Sequence, residues 1–487
     1  MEDDKENSPA VIATGNPLAA QAARRMLLAG GSAVDAAIAA DAVMGVVEPM
    51  ATSVGGDVLA MVYQPSGDVL SYNGTGRAPA GLDVSDIILL PGARIPERHP
   101  LSVTTPGVVR GWWDLHRRYG HLDWKLLFTP AIQHARDGFA VEKVAALEWA
   151  LFDSVLHVDP VCARLFHAGR PPSTGDLFRN PDLANTLEHI SNDGPDAFYD
   201  GPIAVAASRA VQSIGGALSV DDFKAHEGSF EEPLSILFYG ARVHECPPNT
   251  HGIAILDALA AIQNTDGDPK DPATWVKMVE ATSAAMEKAK RTVADPAGNT
   301  VCTVVADEQG LVITLMSSVF KRFGSGIAVP GGGFCLQNRG FGFSAPGHIN
   351  GPAPRKRPYH TVVPGLTTMG GRFRLGMGVV GGLMQPQGQI QILTRVLAWG
   401  EALQGALDAS RWRLEVGNTL ALEKGFAEPV ALALRAAGYQ PPHYKAGELG
   451  GRSDFGGAQA VMQSLQGVWL GATDPRKDGQ WLQLASH

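Results

Sequence analysis

The chain has few cysteines, few aromatic residues, no basic excess and no long uncharged apolar run, and each shortage closes off a class of function. Its four cysteines, Cys162, Cys246, Cys302 and Cys335, are scattered over 487 residues without a Cys-x-x-Cys pair. They read as buried thiols in a reducing compartment, not as a disulfide framework or a zinc site. No His-Glu-x-x-His and no Cys/His cluster occurs, so no metal is expected. The Gly-rich stretches match neither a phosphate-binding loop nor a dinucleotide fingerprint, so no cofactor is expected. A net charge of −9 without a Lys/Arg stripe argues against a nucleic-acid partner. The longest apolar run, Ala33–Ala51, is broken by Asp35, Asp41 and Glu48, which marks a buried helix and not a membrane span. The acidic opening Met-Glu-Asp-Asp-Lys-Glu-Asn-Ser-Pro lacks the apolar core of a signal peptide. The expected setting is the cytoplasm and the expected partner a small molecule, with oligomerisation left open.

What is present is a large core and many turns. Hydrophobic residues make up 45% of the chain and charged residues 18%, with 57 glycines and 33 prolines. Residues 16–47 read as two helices: Asn16-Pro17 starts one, Gly30-Gly31 stops it, and Ser32 begins the next. Val58–Tyr63 and Val69–Tyr72 alternate as strands around Pro65-Ser66-Gly67. Residues 107–290 read as mostly helical, including Val108–Arg118, Trp124–Asp137 and Trp275–Arg291. The texture then changes to β-branched runs, Thr300–Ala306 and Leu311–Ser317, joined by a hairpin signal at Glu308-Gln309-Gly310. A further helix is expected across Gln387–Trp399. The shift near 292–300 divides the chain into a helix-rich segment, 1–299, and a second segment, 300–487.

Thr300 opens that second segment, directly after Gly298-Asn299. A Gly-Asn-Thr triplet is ordinarily a turn entering a strand. The same residue, freed as an N-terminus by backbone cleavage, carries both a nucleophilic hydroxyl and its own α-amine as base.

Other segments fall into place around it in order. They are Asn16–Ala20, Gly30–Ala37, Val46–Pro49, Val54-Gly55-Gly56-Asp57, Thr300–Asp307, Phe323–Gly326, Lys356-Arg357-Pro358, Gly381-Gly382 and Asp474–Gly479. Together they resemble the γ-glutamyltranspeptidase family of N-terminal-nucleophile hydrolases. The resemblance implies an α/β (α+β) fold, a four-layer αββα sandwich made as one inactive proenzyme. Autocatalytic cleavage of the Asn299–Thr300 bond would leave two segments in one interleaved unit. It further implies that Thr300 attacks an amide to give an acyl-enzyme, which water or an amine resolves. Gly381 and Gly382 match the oxyanion-hole glycines, where the backbone must come close to developing charge. Ser318 matches a hydroxyl that hydrogen-bonds the nucleophile. Read without the family, Gly381-Gly382 is an ordinary turn and Ser318 a strand-end serine.

The chain also departs from the transpeptidase pattern. Thr75 stands where the glutamyl-binding arginine is expected, with Arg77 two residues later. The Ser-Ser pair falls on His360-Thr361, the Asn on Phe320 and the Asp on Gly342. An amino-acid head desolvated without ionic partners costs several kcal/mol, so the acylase-like branch of the family is expected, with weak or no transpeptidation. Gly340-Phe341, Arg357–Thr361 and Met384–Gln387 fit that branch.

Candidate substrate-binding residues are Arg77, Phe320, Arg339, His360 and Thr361. Phe341 and Phe343 extend an apolar pocket, and Lys321 and Arg322 are further carboxylate grips. Read without the family, each aromatic residue is more readily core, the Lys-Arg pair a solvated turn and His360 structural. Only Ala297-Gly298-Asn299 separate Asp295-Pro296 from Thr300, a short tether for self-cleavage. Three functions stay open: a self-processing threonine amidohydrolase or acylase; a γ-glutamyl hydrolase or transferase of glutathione metabolism, clamped by Arg77; and an unprocessed, inactive homologue that binds ligand.

Overall fold

Alternating apolar strands build two antiparallel sheets in the computed structural model, which describes residues 10–157, 159–166, 169–263, 267–293, 299–415, 417–442 and 452–485. In chain order the strands of these sheets are β1 (Val11–Thr14), β2 (Asp57–Tyr63), β3 (Val69–Gly74), β4 (Ser229–Glu231), β5 (Leu234–Phe238) and β6 (Ala241–Glu245). Then follow β7 (Asn299–Ala306), β8 (Val312–Phe320), β9 (Gly365–Met369), β10 (Arg372–Val380), β11 (Gly457–Gln463), β12 (Trp469–Thr473) and β13 (Gln480–Gln483). The first sheet runs β13-β1-β7-β8-β2-β3-β4 and the second β12-β11-β10-β9-β6-β5. Both sheets take strands from before and after residue 299, so neither segment forms a sheet by itself.

The period of two decides which residues meet. Val301, Val305, Ile313 and Leu315 point into one core. Helices α1 (Pro17–Leu28), α2 (Ala33–Val47), α3 (Val108–Tyr119), α4 (Trp124–Asp137) and α5 (Pro181–Asp193) cover it. Cys302, Val304, Met316, Leu59 and Met61 point the other way, against Val362, Leu366 and Val461 between the sheets. The outer face of the second sheet is covered by α6 (Gly252–Ile262), α7 (Pro272–Thr292) and α8 (Met384–Leu393). The result is the four-layer αββα sandwich expected from the sequence.

Helix α2 shows why the Ala-rich run works. All fifteen of its residues are buried, and small side chains let its backbone lie close to the sheet. Ser32 caps it: its hydroxyl accepts from Asp35 N–H at 3.1 Å, and the Asp35 carboxylate accepts from Ser32 N–H at 2.9 Å. Asp41 is satisfied inside by Trp112 Nε1 at 2.8 Å and the Ser317 hydroxyl at 2.5 Å.

Two readings of secondary structure need correction. Strands β4, β5 and β6 lie within the stretch read as mostly helical. Leu234, Ile236 and Phe238 alternate there, and Pro233 and the Tyr239-Gly240 turn bound the hairpin. The helix expected at Gln387–Trp399 begins at Met384 and loosens after Leu393 into a π-helical turn over Thr394–Ala398. Residues 1–9 and 294–298, which carry the acidic opening and the Asp295–Gly298 tether, lie outside the described residues.

Candidate active site

Thr300 sits near the start of β7 and is 2% exposed. The register pairs Val301 with Ser317 and Asn299 with Phe320 on β8, with a bulge between. On the next strand Ser318 pairs with Asp57. Thr300, Ser318 and Asp57 therefore form a row across three neighbouring strands, on the face between the sheets, with strands about 4.8 Å apart. The bulge places Phe320 at φ 78°, a left-handed conformation unusual for a bulky residue. Its N–H donates to the Ser318 hydroxyl at 2.8 Å, which holds the turned strand end. Backbone strain of this kind collects where a side chain must be aimed.

The hydroxyl of Thr300 accepts a hydrogen bond from Gln385 Nε2 at 2.7 Å. Gln385 Oε1 accepts from Val363 N–H at 3.1 Å. A backbone N–H can only donate, so the amide orientation is decided and its NH₂ must face Thr300. Gln385 is the second residue of α8, three positions after the Gly381-Gly382 pair. These glycines have φ 114° and 63°. Their carbonyls accept from Met384 and Gln385 N–H at 3.1 and 3.0 Å. A Cβ on Gly381 would lie 3.1 Å from Gly456 Cα and 3.3 Å from Met384 Cβ. Both the turn and the packing require glycine there. The glycine turn, the start of α8 and Thr300 thus belong to one connected patch.

On the far side of the row, Asp57 Oδ1 receives Arg339 Nη2 at 2.9 Å and His360 Nε2 at 2.9 Å, all three side chains being fully buried. His360 Nδ1 accepts from Val362 N–H at 3.2 Å, so the ring proton is on Nε2 and the imidazole is neutral. Burial, reinforced by the Arg339 charge, lowers the His360 pKa to about 4. Burial opposes ionisation of Asp57, but Arg339 and His360 outweigh it and bring its pKa down to about 2.

The Arg339 guanidinium also lies 4.4 Å over the Phe320 ring. Among the described residues its Nε and Nη1 have no hydrogen-bond partner, and neither does the buried Thr361 hydroxyl. Phe341 lies 6.0 Å from Phe320, ring to ring. Arg339, His360 and Phe320 are thereby gathered near the Thr300 row, and Thr361 follows His360 in the chain.

Of the remaining candidates, Lys321 borders this cluster, its ammonium 5.4 Å over the Phe341 ring and 5.9 Å over Phe320, and the others lie elsewhere. Arg77 donates to the Arg355 carbonyl at 3.3 Å, at the surface. Arg322 pairs with the buried Glu148. Lys321 lies 3.8 Å from Glu97. Phe343 belongs to a separate cluster with Leu82, Ile87 and Leu101. Asn299 lies in β7, but its side chain is outside the described residues.

Two site residues were not assigned from the sequence. Asp57 was visible only as the end of a Gly-Gly-Asp motif. Gln385 had a sharper signal: Gln385, Gln387, Gln389 and Gln391 alternate within a helix whose ten residues are all buried, and buried amides need dedicated partners.

Known proteins resemble this chain in sequence and fold. The Gamma-glutamyltranspeptidase family profile matches residues 19–302 and 296–484. The chain is 30% identical over 518 residues to the glutathione hydrolase-like YwrD proenzyme of Bacillus subtilis, covering 96% of this chain and 97% of that protein. It is likewise 30% identical to the oxamate amidohydrolase proenzyme of Klebsiella pneumoniae, with 95% and 96% covered. A cephalosporin acylase structure from Bacillus halodurans superposes with a TM-score of 0.91 at 32% identity, covering 99% of this chain and 97% of that one. No helix among the described residues is long and apolar enough to cross a membrane. With the match running through both segments onto the same four-layer fold, the chain belongs to the gamma-glutamyltranspeptidase family and is an enzyme of the N-terminal-nucleophile hydrolase class.

Proposed function

We propose that this enzyme is a self-processing amidohydrolase whose nucleophile is Thr300, and that its substrate is a small amide with a carboxylate on the acyl half. The observation that carries the reading is Arg339: a fully buried guanidinium near the Thr300 row, whose Nε and Nη1 have no hydrogen-bond partner among the described residues. A buried charged donor is costly to leave unpaired, and a carboxylate supplies two acceptors in matching geometry. Kinship with an oxamate amidohydrolase supports it, because oxamate bears its carboxylate directly on the amide carbon. Arg77 turns towards Arg355 at the surface, which favours this reading over a γ-glutamyl clamp.

The chemistry then follows from position. Cleavage of the Asn299–Thr300 bond frees the α-amine of Thr300, which takes the hydroxyl proton as Oγ1 bonds to the amide carbon. The oxygen of that amide becomes an oxyanion, met by backbone N–H groups of the Gly381-Gly382 turn at the start of α8. Gln385 donates to Oγ1 and holds it in line. The C–N bond breaks as the proton passes to the leaving amine, and water attacks the acyl-enzyme to release the carboxylic acid.

Denaturing gels of purified protein should show fragments 1–299 and 300–487, and Thr300→Ala should stay full length. Ammonia release should be measured on oxamate, malonamate and succinamate beside a chromogenic γ-glutamyl anilide. A wild-type chain that stays whole and releases ammonia from none of the three amides sinks the proposal.

A further inference from the structure

We propose that Glu245, as a neutral carboxylic acid under α8, positions the donor on Thr300 through a chain formed by Gln389, Val363 and Gln385. The inference rests on Thr300 being the nucleophile and adds positioning residues for it.

Glu245 ends β6 and pairs in register with Gly365 of β9. It is fully buried, and among the described residues neither of its oxygens has a hydrogen-bond donor; nor has Gln389 Oε1. A Cβ on Gly365 would lie 2.4 Å from Gln389 Oε1 and 3.1 Å from Glu245 Oε1, so both oxygens crowd over the same glycine. The Gln389 amide cannot turn round to relieve this. Its Nε2 donates to the Val363 carbonyl at 2.6 Å, and a carbonyl only accepts. Two acceptors therefore converge on one spot, and among the described residues no donor meets either of them. A proton on Glu245 turns that repulsion into an O–H···O hydrogen bond. Burial, with no charged neighbour opposing it, pushes the Glu245 carboxyl well above the usual range in the same direction.

The rest of the chain is continuous. Gln385 and Gln389 lie one turn apart on α8 and grip the two backbone groups of Val363, its N–H and its C=O. Those groups belong to different peptide units. What passes across Val363 is therefore position and not polarisation. Gln385 then delivers its N–H to Thr300. The other two glutamines of α8 do not enter this path: Gln387 and Gln391 bond the backbone of Leu414 and Trp412. Glu245 thus sets the height at which α8, with the glycine turn at its head, sits over the nucleophile.

The test compares Glu245→Gln, whose amide N–H replaces the carboxyl proton, with Glu245→Leu, which has no donor. The readouts are kcat and KM for ammonia release from oxamate, malonamate and succinamate, and the melting temperature. Glu245→Gln should keep kcat within a few-fold. Glu245→Leu should lose kcat about 10- to 100-fold, the scale of a small misplacement at a reacting centre, with KM and melting temperature little changed. Full kcat in Glu245→Leu, or an equal loss in Glu245→Gln, overturns the inference. Infrared difference spectra of wild type minus Glu245→Gln at pH 8 provide a readout independent of activity. A carboxylic-acid C=O band supports the chain, and a carboxylate band refutes it. A wild type that hydrolyses none of the amides counts against the proposed function, and the infrared result still decides the protonation of Glu245.

Discussion

Replacing Arg339 tests the substrate assignment, provided its two roles are separated. One nitrogen of the guanidinium, Nη2, holds Asp57, and the other two, Nε and Nη1, have no partner among the described residues. If those two bind a substrate carboxylate, each charge-assisted bond is worth about 1.5–3 kcal/mol. Their joint loss should lower kcat/KM on carboxylate-bearing amides by roughly 150- to 25,000-fold. Arg339→Met also strands the buried Asp57 carboxylate, however, and breaking a buried pair costs about 3–5 kcal/mol of stability. Inactivity of that variant could therefore reflect unfolding. The double variant Asp57→Asn with Arg339→Met removes the charge and its partner together, and the introduced amide oxygen would still accept from His360 Nε2. We expect urea unfolding to show the single variant strongly destabilised and the double variant largely restored. Neither should release ammonia from the carboxylate-bearing amides at an appreciable rate. Any slow hydrolysis of a neutral amide such as propionamide should persist in the double variant. A double variant that is stable and hydrolyses oxamate or its longer homologues with wild-type kcat/KM would refute the role given to Arg339.

Two further outcomes are expected. Gly381→Ala must force a side chain into a backbone at φ 114° and within 3.1 Å of Gly456 Cα; it should cut kcat by about 100- to 1,000-fold, the scale of one lost oxyanion donor, with KM little changed. His360 links stability to pH, because its folded pKa of about 4 lies below the ordinary 6.5. The unfolded chain takes up a proton there as pH falls from 6.5 to 4 while the folded chain does not, so stability drops across that window. The contribution reaches about 3 kcal/mol by pH 4. His360→Asn should flatten the pH dependence of urea unfolding by close to one proton over that range, and an unchanged slope would contradict the neutral, buried imidazole.

The parts of the fold legible in the sequence are those written in local periodicity. The capped, Ala-rich α2, the hairpin around Pro65-Ser66-Gly67 and the β-branched runs on both sides of Glu308-Gln309-Gly310 all appear as elements where expected. Strands β5 and β6 were missed because they are short, lie among helices and are stabilised by neighbours from beyond residue 360. No local pattern records that pairing. Resemblance singled out Thr300 and the Gly381-Gly382 turn. Gln385 escaped because its signal, amides at alternate positions of an otherwise apolar helix, becomes informative only once the helix is known to be buried on every side.

By itself, then, the sequence determined most of the elements through residue order and spacing, and its family resemblance carried the four-layer architecture and the candidate nucleophile. Tertiary structure alone decided which charges are spent inside the protein. It pairs Arg322 with Glu148 and turns Arg77 towards Arg355. It commits Nη2 of Arg339 to Asp57 and leaves Nε and Nη1 without a partner among the described residues. It also lifts Glu245, Gln389 and Gln385 into line behind Thr300. Those outcomes depend on distances between residues tens to hundreds of positions apart, and hydrogen bonds and ion pairs respond to such distances within a few tenths of an ångström.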